Sequence, residues 1–286
     1  MRMAAPRCIA VLAHNEEARI ARCLASLLPL AQGDRLHVII NGSTDRTADI
    51  ARSIAARHDG VTVHDWAQGG KSRSWSRFVH DELDTVFPVH VFVDGDAEVV
   101  PGSIDALAAA LLADPAAHAA AGVPGNGRRA RLYRKSIRAE RGLFGDLYAL
   151  SGAFLARMRA AGIRLPDDCI GDDGLIGALA KIDLGALSDW RDARVATAID
   201  ARFLCDPVSL ASPASWRLQY RRMINYSQRH FQNRLITGIL ESGGAAALPR
   251  RLAPLYADAM KGWRPRSGVT GWFDRRALER MAKAAG

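Results

Sequence analysis

Two hydrophobic periods take turns along the first third of the chain. Short apolar, β-rich runs occupy Cys8 to Ala13, Leu36 to Ile40, Val61 to His64 and Val89 to Val93, the pattern of buried strands. Between them the apolar positions follow a helical period: Glu16 to Leu28 with Ile20, Leu24 and Leu27 on one face, Asp45 to Arg57 with Ile50 and Ile54, and Ser72 to Leu83. Strand and helix alternating at this spacing predict a mostly parallel sheet with helices on both faces, and function at the carboxyl ends of the strands. Pro101 opens a further helix over Ile104 to Leu112, and Ala117 to Val123 reads as another strand. Beyond it the alternation fades: a turn-rich basic loop leads into Ala130 to Leu150, whose pattern is mostly helical. Ser242-Gly243-Gly244-Ala245 reads as a joint before a C-terminal segment.

Each predicted strand end carries polar residues. His14-Asn15-Glu16-Glu17 follows the first, Asn41-Gly42-Ser43-Thr44-Asp45 the second, and Asp94-Gly95-Asp96 the fourth. The last of these has two readings. Asp-Gly is a turn signal, and alternating carboxylates are also oxygen ligands for a hard divalent cation. Gly125, Gly127 and Ala130 formally match a dinucleotide fingerprint, but they come late and lack the acidic residue that should follow.

Composition narrows the class. With 286 residues, 49% hydrophobic and 24% charged, the chain is long and apolar enough to fold as one large domain or two small ones. No stretch reaches the apolar length of a membrane span, and the first residues turn acidic too early for a signal peptide, so the expectation is a cytoplasmic protein. The four cysteines form no CxxC pair, which argues against zinc and against a disulfide framework. The net charge of +9 is uneven. From Arg217 onward 14 Lys and Arg face 4 Asp and Glu, leaving 25 against 26 before it. Such a segment can attract nucleic acid, an anionic membrane surface or a phosphorylated substrate, unless it is simply solvated in an arginine-rich protein.

Several stretches together resemble a known family. They are CIAVLAHNEEARIARCLASLL, VIINGSTDRTADIA, GGKSRSW followed by VFVDGDAEVVPGSIDAL, and IGDDGLIGAL, with Gln219-Tyr220-Arg221-Arg222-Met223 as a weaker fifth. In this order they resemble the inverting family 2 glycosyltransferases of the GT-A fold, the nucleotide-diphospho-sugar transferases that include cellulose, chitin and hyaluronan synthases. The likeness is continuous over about residues 8 to 112 and patchy from 145 to 225.

The resemblance implies a Rossmann-like α/β fold, with a donor half over about 8–123, an acceptor half over 124–241 and a helical basic tail over 242–286. It implies a nucleotide-sugar donor, UDP-linked by preference and GDP-linked as the alternative, held by Ala13, Asn15, Glu16, Asn41, Ser43, Asp45, Lys71, Asp94, Gly95, Asp96 and Arg222. Relatives often carry Asp at or beside the position of Ile40 or Asn41, so the base is not fixed by the motif. Asp94 and Asp96 would hold Mn²⁺ or Mg²⁺, with His230 as the one downstream histidine able to join them or else an ordinary structural histidine. Asp173, with Asp172 beside it, matches the general base that takes the acceptor's proton; the plainer reading is a helix start favoured by its dipole. Ser151, Gly152, Gln219 and Met223 match the acceptor side, where Met223 replaces the family's tryptophan.

Two rival functions are weaker. A nucleotidyltransferase would carry glycines after the first strand, where this chain reads LAHNEEARI. A non-catalytic, basic surface-binding protein on the same fold would not need intact Asp94, Asp96, Asp172 and Asp173. The basic tail with Trp263, Trp272 and Phe273 suggests contact with an anionic membrane surface or a lipid-linked acceptor, and hence a peripheral location; nucleic acid is not expected. The acceptor hydroxyl remains open.

Overall fold

The computed structural model describes residues 5–127, 130–206 and 213–285. Strand β1 (Arg7–Ala13) lies at its centre with all seven positions buried. Its side chains alternate between two cores. Cys8, Ala10 and Leu12 pack with Trp75, Phe92 and Tyr148, whereas Ile9, Val11 and Ala13 pack with Ile20, Leu24 and Leu107. A strand covered on both faces needs apolar residues at every position, which is why CIAVLA shows no alternation.

The predicted units follow in order: α1 (Ile20–Leu27), β2 (Arg35–Asn41), α2 (Thr47–Ala55), β3 (Val61–Trp66), α3 (Lys71–Arg77) and β4 (Val89–Asp94). The helix expected from Glu16 starts later, at Ile20, because the Glu16 carbonyl accepts the Arg19 and Ile20 amides in a preceding turn. After β4 come the short β5 (Glu98–Val99), α4 (Ser103–Ala113) and β6 (Ala119–Pro124). The second half holds α5 (Ala130–Glu140), β7 (Leu147–Ser151), α6 (Gly152–Ala160), α7 (Asp172–Lys181), β8 (Val195–Leu204), the 31-residue α8 (Pro213–Gly243), α9 (Tyr256–Ala259) and α10 (Gly268–Ala285).

The sheet runs β3-β2-β1-β4-β7-β6-β8-β5. β1 is parallel to both β2 and β4, so the chain winds one way from β1 and the other way beyond it. The crevice above the ends of β1 and β4 is the switch point at which such sheets bind ligands.

The expected helix over Ala130 to Leu150 is half right: it stops at Glu140, and Leu147–Ser151 is a strand antiparallel to β4. The buried run LYAL fits a core strand or a buried helix equally well, and Arg141 at φ 47° breaks the helical path before it. β8 went unanticipated for the opposite reason, since VATAIDARFL mixes buried and exposed positions without a clean period.

The basic C-terminal segment folds back. α10 lies along α8 and is pinned where Asp274, fully buried, accepts the amide and guanidinium of Arg266. Trp263 is buried and stacks on Phe231 at 5.1 Å between ring centres. It is therefore unavailable to a membrane, and of the two tail tryptophans only Trp272 remains exposed.

Candidate active site

The motif Asp94-Gly95-Asp96 ends β4 inside the switch-point crevice. Its glycine is explained by contact: the Gly95 amide donates to the Leu12 carbonyl at 2.8 Å, and a Cβ there would stand 2.7 Å from that of Ala13. The turn is thus pressed against the end of β1, and it aims Asp96 into the opening. The turn reading and the ligand reading of this motif are compatible, since a tight turn is what presents the carboxylates.

A third carboxylate joins them. Because β7 runs antiparallel to β4, its first residues lie beside the end of β4, and Asp146 provides an oxygen within 4.8 Å of oxygens from both Asp94 and Asp96. Burial, then the charges of Asp146 and Asp172, push the Asp94 carboxyl well above the usual range despite Lys71. Burial likewise raises Asp146, although Cys205 donates to it. Half-buried carboxylates that repel one another in one crevice, with hard oxygen donors only, fit a divalent cation.

Lys71, first residue of α3, is the cation already present. Its ammonium lies 2.7 Å from Asp94 and 3.4 Å from Asp172. Burial opposes its charge, but Asp172 and Asp94 hold its pKa well above normal. Gly145 closes this group from above, where a Cβ would stand 3.1 Å from the Lys71 nitrogen, 3.5 Å from an Asp94 oxygen and 3.8 Å from the Asp173 Cβ. The structure therefore brings Asp94, Lys71, Asp172 and Asp173 around one short loop.

Asp172 is buried and Asp173 half-buried at the start of α7, where Asp173 pairs with Arg229 of α8 at 3.2 Å. Gly171 and Gly174 flank the two aspartates because Arg229 lies flat against them; side chains there would meet it at 2.3 and 2.6 Å. Neither Asp146 nor Arg229 was anticipated. Asp146 was hidden by the helical reading of its segment. Arg229 lies on α8, a helix that the sequence pattern did not predict, and it reaches Asp173 from a distant part of the chain.

On the β1/β2 edge the loops lock one another. Asn15, at φ 55°, accepts the Thr44 amide at 2.8 Å and donates its own amide to Ser43 at 3.0 Å. Asp45 accepts the amides of Glu17 and Thr47; burial works against it, but these bonds and the Thr47 hydroxyl hold its carboxyl below the usual range. Asn41 is buried and accepts from Ser74 at 2.9 Å. Burial and then Asp96 raise the Glu16 carboxyl.

A cavity of about 880 Å³ opens over this floor, lined by Asp96 and Asp146 on one side and by Gln219, Arg222, Tyr226 and Tyr133 on the other. Met223 is half-buried and does not line it.

Two expectations fail. Ser151 pairs with Val89, at the opposite end of β4 from Asp94. Ser151 and Gly152 therefore lie outside the cavity: Ser151 caps α6 by accepting the Phe154 amide, and Gly152 is glycine because a Cβ would sit 2.1 Å from the Phe87 carbonyl oxygen. His230 is the other. It packs edge-on against Phe231, with Arg266, Asp274 and Arg234 as its charged neighbours, and stands outside the acidic cluster. Its place on the α10 side of α8 makes it structural.

Residues 8–171 match the family model for glycosyl transferase family 2. The chain belongs to that family. No curated protein matches it. Among solved structures, a family 2 member such as this one shares its fold with a mannosyltransferase from Pyrobaculum calidifontis in complex with GDP-Man and Mn²⁺. That match has TM-score 0.60 and 20% identity over 99% of this chain and 76% of that one. A glucosyl-3-phosphoglycerate synthase from Mycobacterium tuberculosis, in complex with Mn²⁺, UDP and glucosyl-3-phosphoglycerate, matches with TM-score 0.57 and 21% identity. There 84% of this chain and 82% of that one are covered. The GT-A architecture expected from the sequence is thereby established, and this family 2 glycosyltransferase carries its acidic cluster at the switch point.

Proposed function

We propose that the protein is an inverting, metal-dependent glycosyltransferase that moves one sugar from a nucleoside-diphosphate sugar to an acceptor hydroxyl. The observation that carries this reading is the facing arrangement in one crevice: Asp94, Asp96 and Asp146 on the floor, with Asp173 beside them at the start of α7. Asp94, Asp96 and Asp146 would hold Mn²⁺ or Mg²⁺, which supplies positive charge to a leaving diphosphate. Both ions accompany nucleotides in structural neighbours of the same fold.

Lys71 and Arg222 add fixed positive charge on either side of that position. The interlocked loops carrying Asn15, Asn41, Ser43 and Asp45 offer a preorganised edge for base and ribose. A UDP sugar is favoured and a GDP sugar is the alternative. In the transfer the acceptor oxygen bonds to the anomeric carbon, the bond from that carbon to the phosphate oxygen breaks, and the acceptor's proton passes to Asp173. Arg229 holds that carboxylate in position. Attack from the face opposite the leaving group inverts the centre. The donor half spans about residues 8–123 and the acceptor half 124–241, with 242–286 as a basic C-terminal segment.

Among the described residues no helix is long and apolar enough to cross a membrane. That suits addition of single sugars to a lipid-linked or saccharide acceptor rather than extrusion of a polymer. The test is calorimetric titration with UDP, GDP and dTDP sugars, with and without Mn²⁺, for the native protein and Asp96→Ala. Metal-dependent binding of one donor that vanishes in the variant is expected. Equal binding by both proteins would refute the assignment.

A further inference from the structure

Large exposed apolar side chains are concentrated on the helices that carry the cavity's outer lining, where Tyr133, Leu218 and Tyr226 line it directly. Of thirteen among the described residues, six are Leu132, Tyr133, Trp216, Leu218, Tyr220 and Tyr226, and a seventh, Trp272, touches Tyr220 at 5.7 Å. Leu132 is 60% and Trp216 65% exposed. They belong to two elements only, α5 and the first turns of α8, with α10 alongside. Tyr133 from α5 and Leu218, Arg222 and Tyr226 from α8 line the same cavity as Asp96, so these helices form its lip.

The lip is also strongly basic. Arg131, Lys135 and Arg138 are exposed on α5, where only Ala130 and Ile137 are buried, and Arg217 and Arg221 are exposed on α8. No acidic residue occurs from Ala130 to Ala139 or from Trp216 to Leu240. Scattered surface apolar residues need no explanation, but a group gathered on two helices that line one cavity does. Leucine and tyrosine beside arginine and lysine on α5, and tryptophan and leucine beside arginine at the start of α8, are the chemistry that beds into the headgroup layer of an anionic bilayer.

We propose that α5 and the start of α8 dock the enzyme on an anionic membrane surface with the cavity mouth facing the headgroups. The acceptor is then an amphiphile whose hydroxyl enters the cavity while its apolar part stays in the bilayer. This rests on the transferase reading and narrows its acceptor to a lipid-linked one. Aliphatic exposure favours lipid over nucleic acid, since Leu132 and Leu218 offer a polynucleotide no stacking face.

The experiment is flotation of the full chain with neutral phosphatidylcholine vesicles and with vesicles containing phosphatidylglycerol. Binding to the anionic vesicles alone is expected, weakening as salt is raised. Arg131→Glu/Lys135→Glu and Leu132→Ser/Trp216→Ala should each lower it by about tenfold or more, whereas Arg280→Glu/Lys283→Glu on α10 should leave it nearly unchanged. Bromolipid quenching of tryptophan fluorescence should fall in Trp216→Phe. Equal binding to neutral vesicles, or loss through the α10 pair and not the α5 pair, would overturn the proposal. So would tighter binding of a mixed tRNA through the same arginines. Donor titration in parallel separates the two readings: vesicle failure with donor binding intact removes only the docking surface, and the reverse outcome removes the transferase and the acceptor assignment that rests on it while leaving the membrane contact.

Discussion

The site has a rigid wall and an open one, built on opposite principles. The rigid wall is formed by the loops at the strand ends, beside the cavity, where polar groups are tied to one another: Thr44 to Asn15, Asn15 to Ser43, Glu17 to Asp45, and Gly95 pressed against Ala13. On the α5/α8 wall, Tyr133 and Leu218 are each 43% exposed and Tyr226 57% exposed at the opening. A ligand part that never varies is best met by a surface that loses little freedom on binding. A variable or amphiphilic partner is best met by large, adaptable side chains. On the proposed function the constant diphosphate would meet the first wall and the acceptor the second.

That division makes its strongest prediction at the metal. Asp146→Asn removes a ligand from the rigid wall without changing its size, and metal-dependent donor affinity should fall by more than about 100-fold. Calorimetry decides it, and affinity within a factor of three of the native protein would show that Asp146 is only a neighbour of the site. Next comes Asp173→Asn. Asp173 is the proposed base, with its carboxylate held by Arg229, so turnover should fall by about 10²–10⁴-fold while donor affinity is kept. Retained turnover would move the base elsewhere.

Two glycines sharpen the contrast between site and scaffold. Gly95→Ala pushes a methyl into Ala13 and should displace Asp94 and Asp96, weakening donor binding at least tenfold with modest loss of stability. Gly152→Ala meets the Phe87 carbonyl at the far end of β4. It should cost about 1–3 kcal/mol or more of stability, and leave donor affinity of the surviving folded fraction intact. Urea melts alongside titration separate these outcomes.

The rigid wall was largely legible in the sequence; of the open one, Gln219 and Arg222 were singled out, but the helices that carry its aromatic residues into place were not. Around β1 to β4 each local signal agrees with the fold: apolar runs end in Asn, Asp and Gly, and those residues sit where the crevice forms. Around β7 the signals conflict. LYAL fits two periods, and nothing local says that the strand runs antiparallel. That reversal exchanges its ends, so Asp146 enters the site and Ser151 with Gly152 leave it. Arg229 and the packing of α10 depend on contacts distant in sequence, which composition reports only as a surplus of positive charge.

The open wall depends on α10, and this yields the smallest effect. α10 braces α8, which carries Arg222 and Arg229, through Asp274. Burial opposes ionisation of Asp274, but the guanidinium and amide of Arg266, with Ser227, hold its carboxyl at about 2 against an ordinary 3.8. A folded pKa below the unfolded one contributes stability above the unfolded value and loses it as pH falls through the folded one. Asp274→Asn should therefore cost at most about 2 kcal/mol at pH 7. The difference from the native protein should shrink as pH falls from about 4 toward 2, a window set by the two pKa values just given. Donor affinity should be unchanged, and transfer should fall at temperatures where α8 loses its brace. A pH-independent difference in urea midpoint would mean that Asp274 acts by packing alone, and loss of donor binding would mean that the two walls are one cooperative unit.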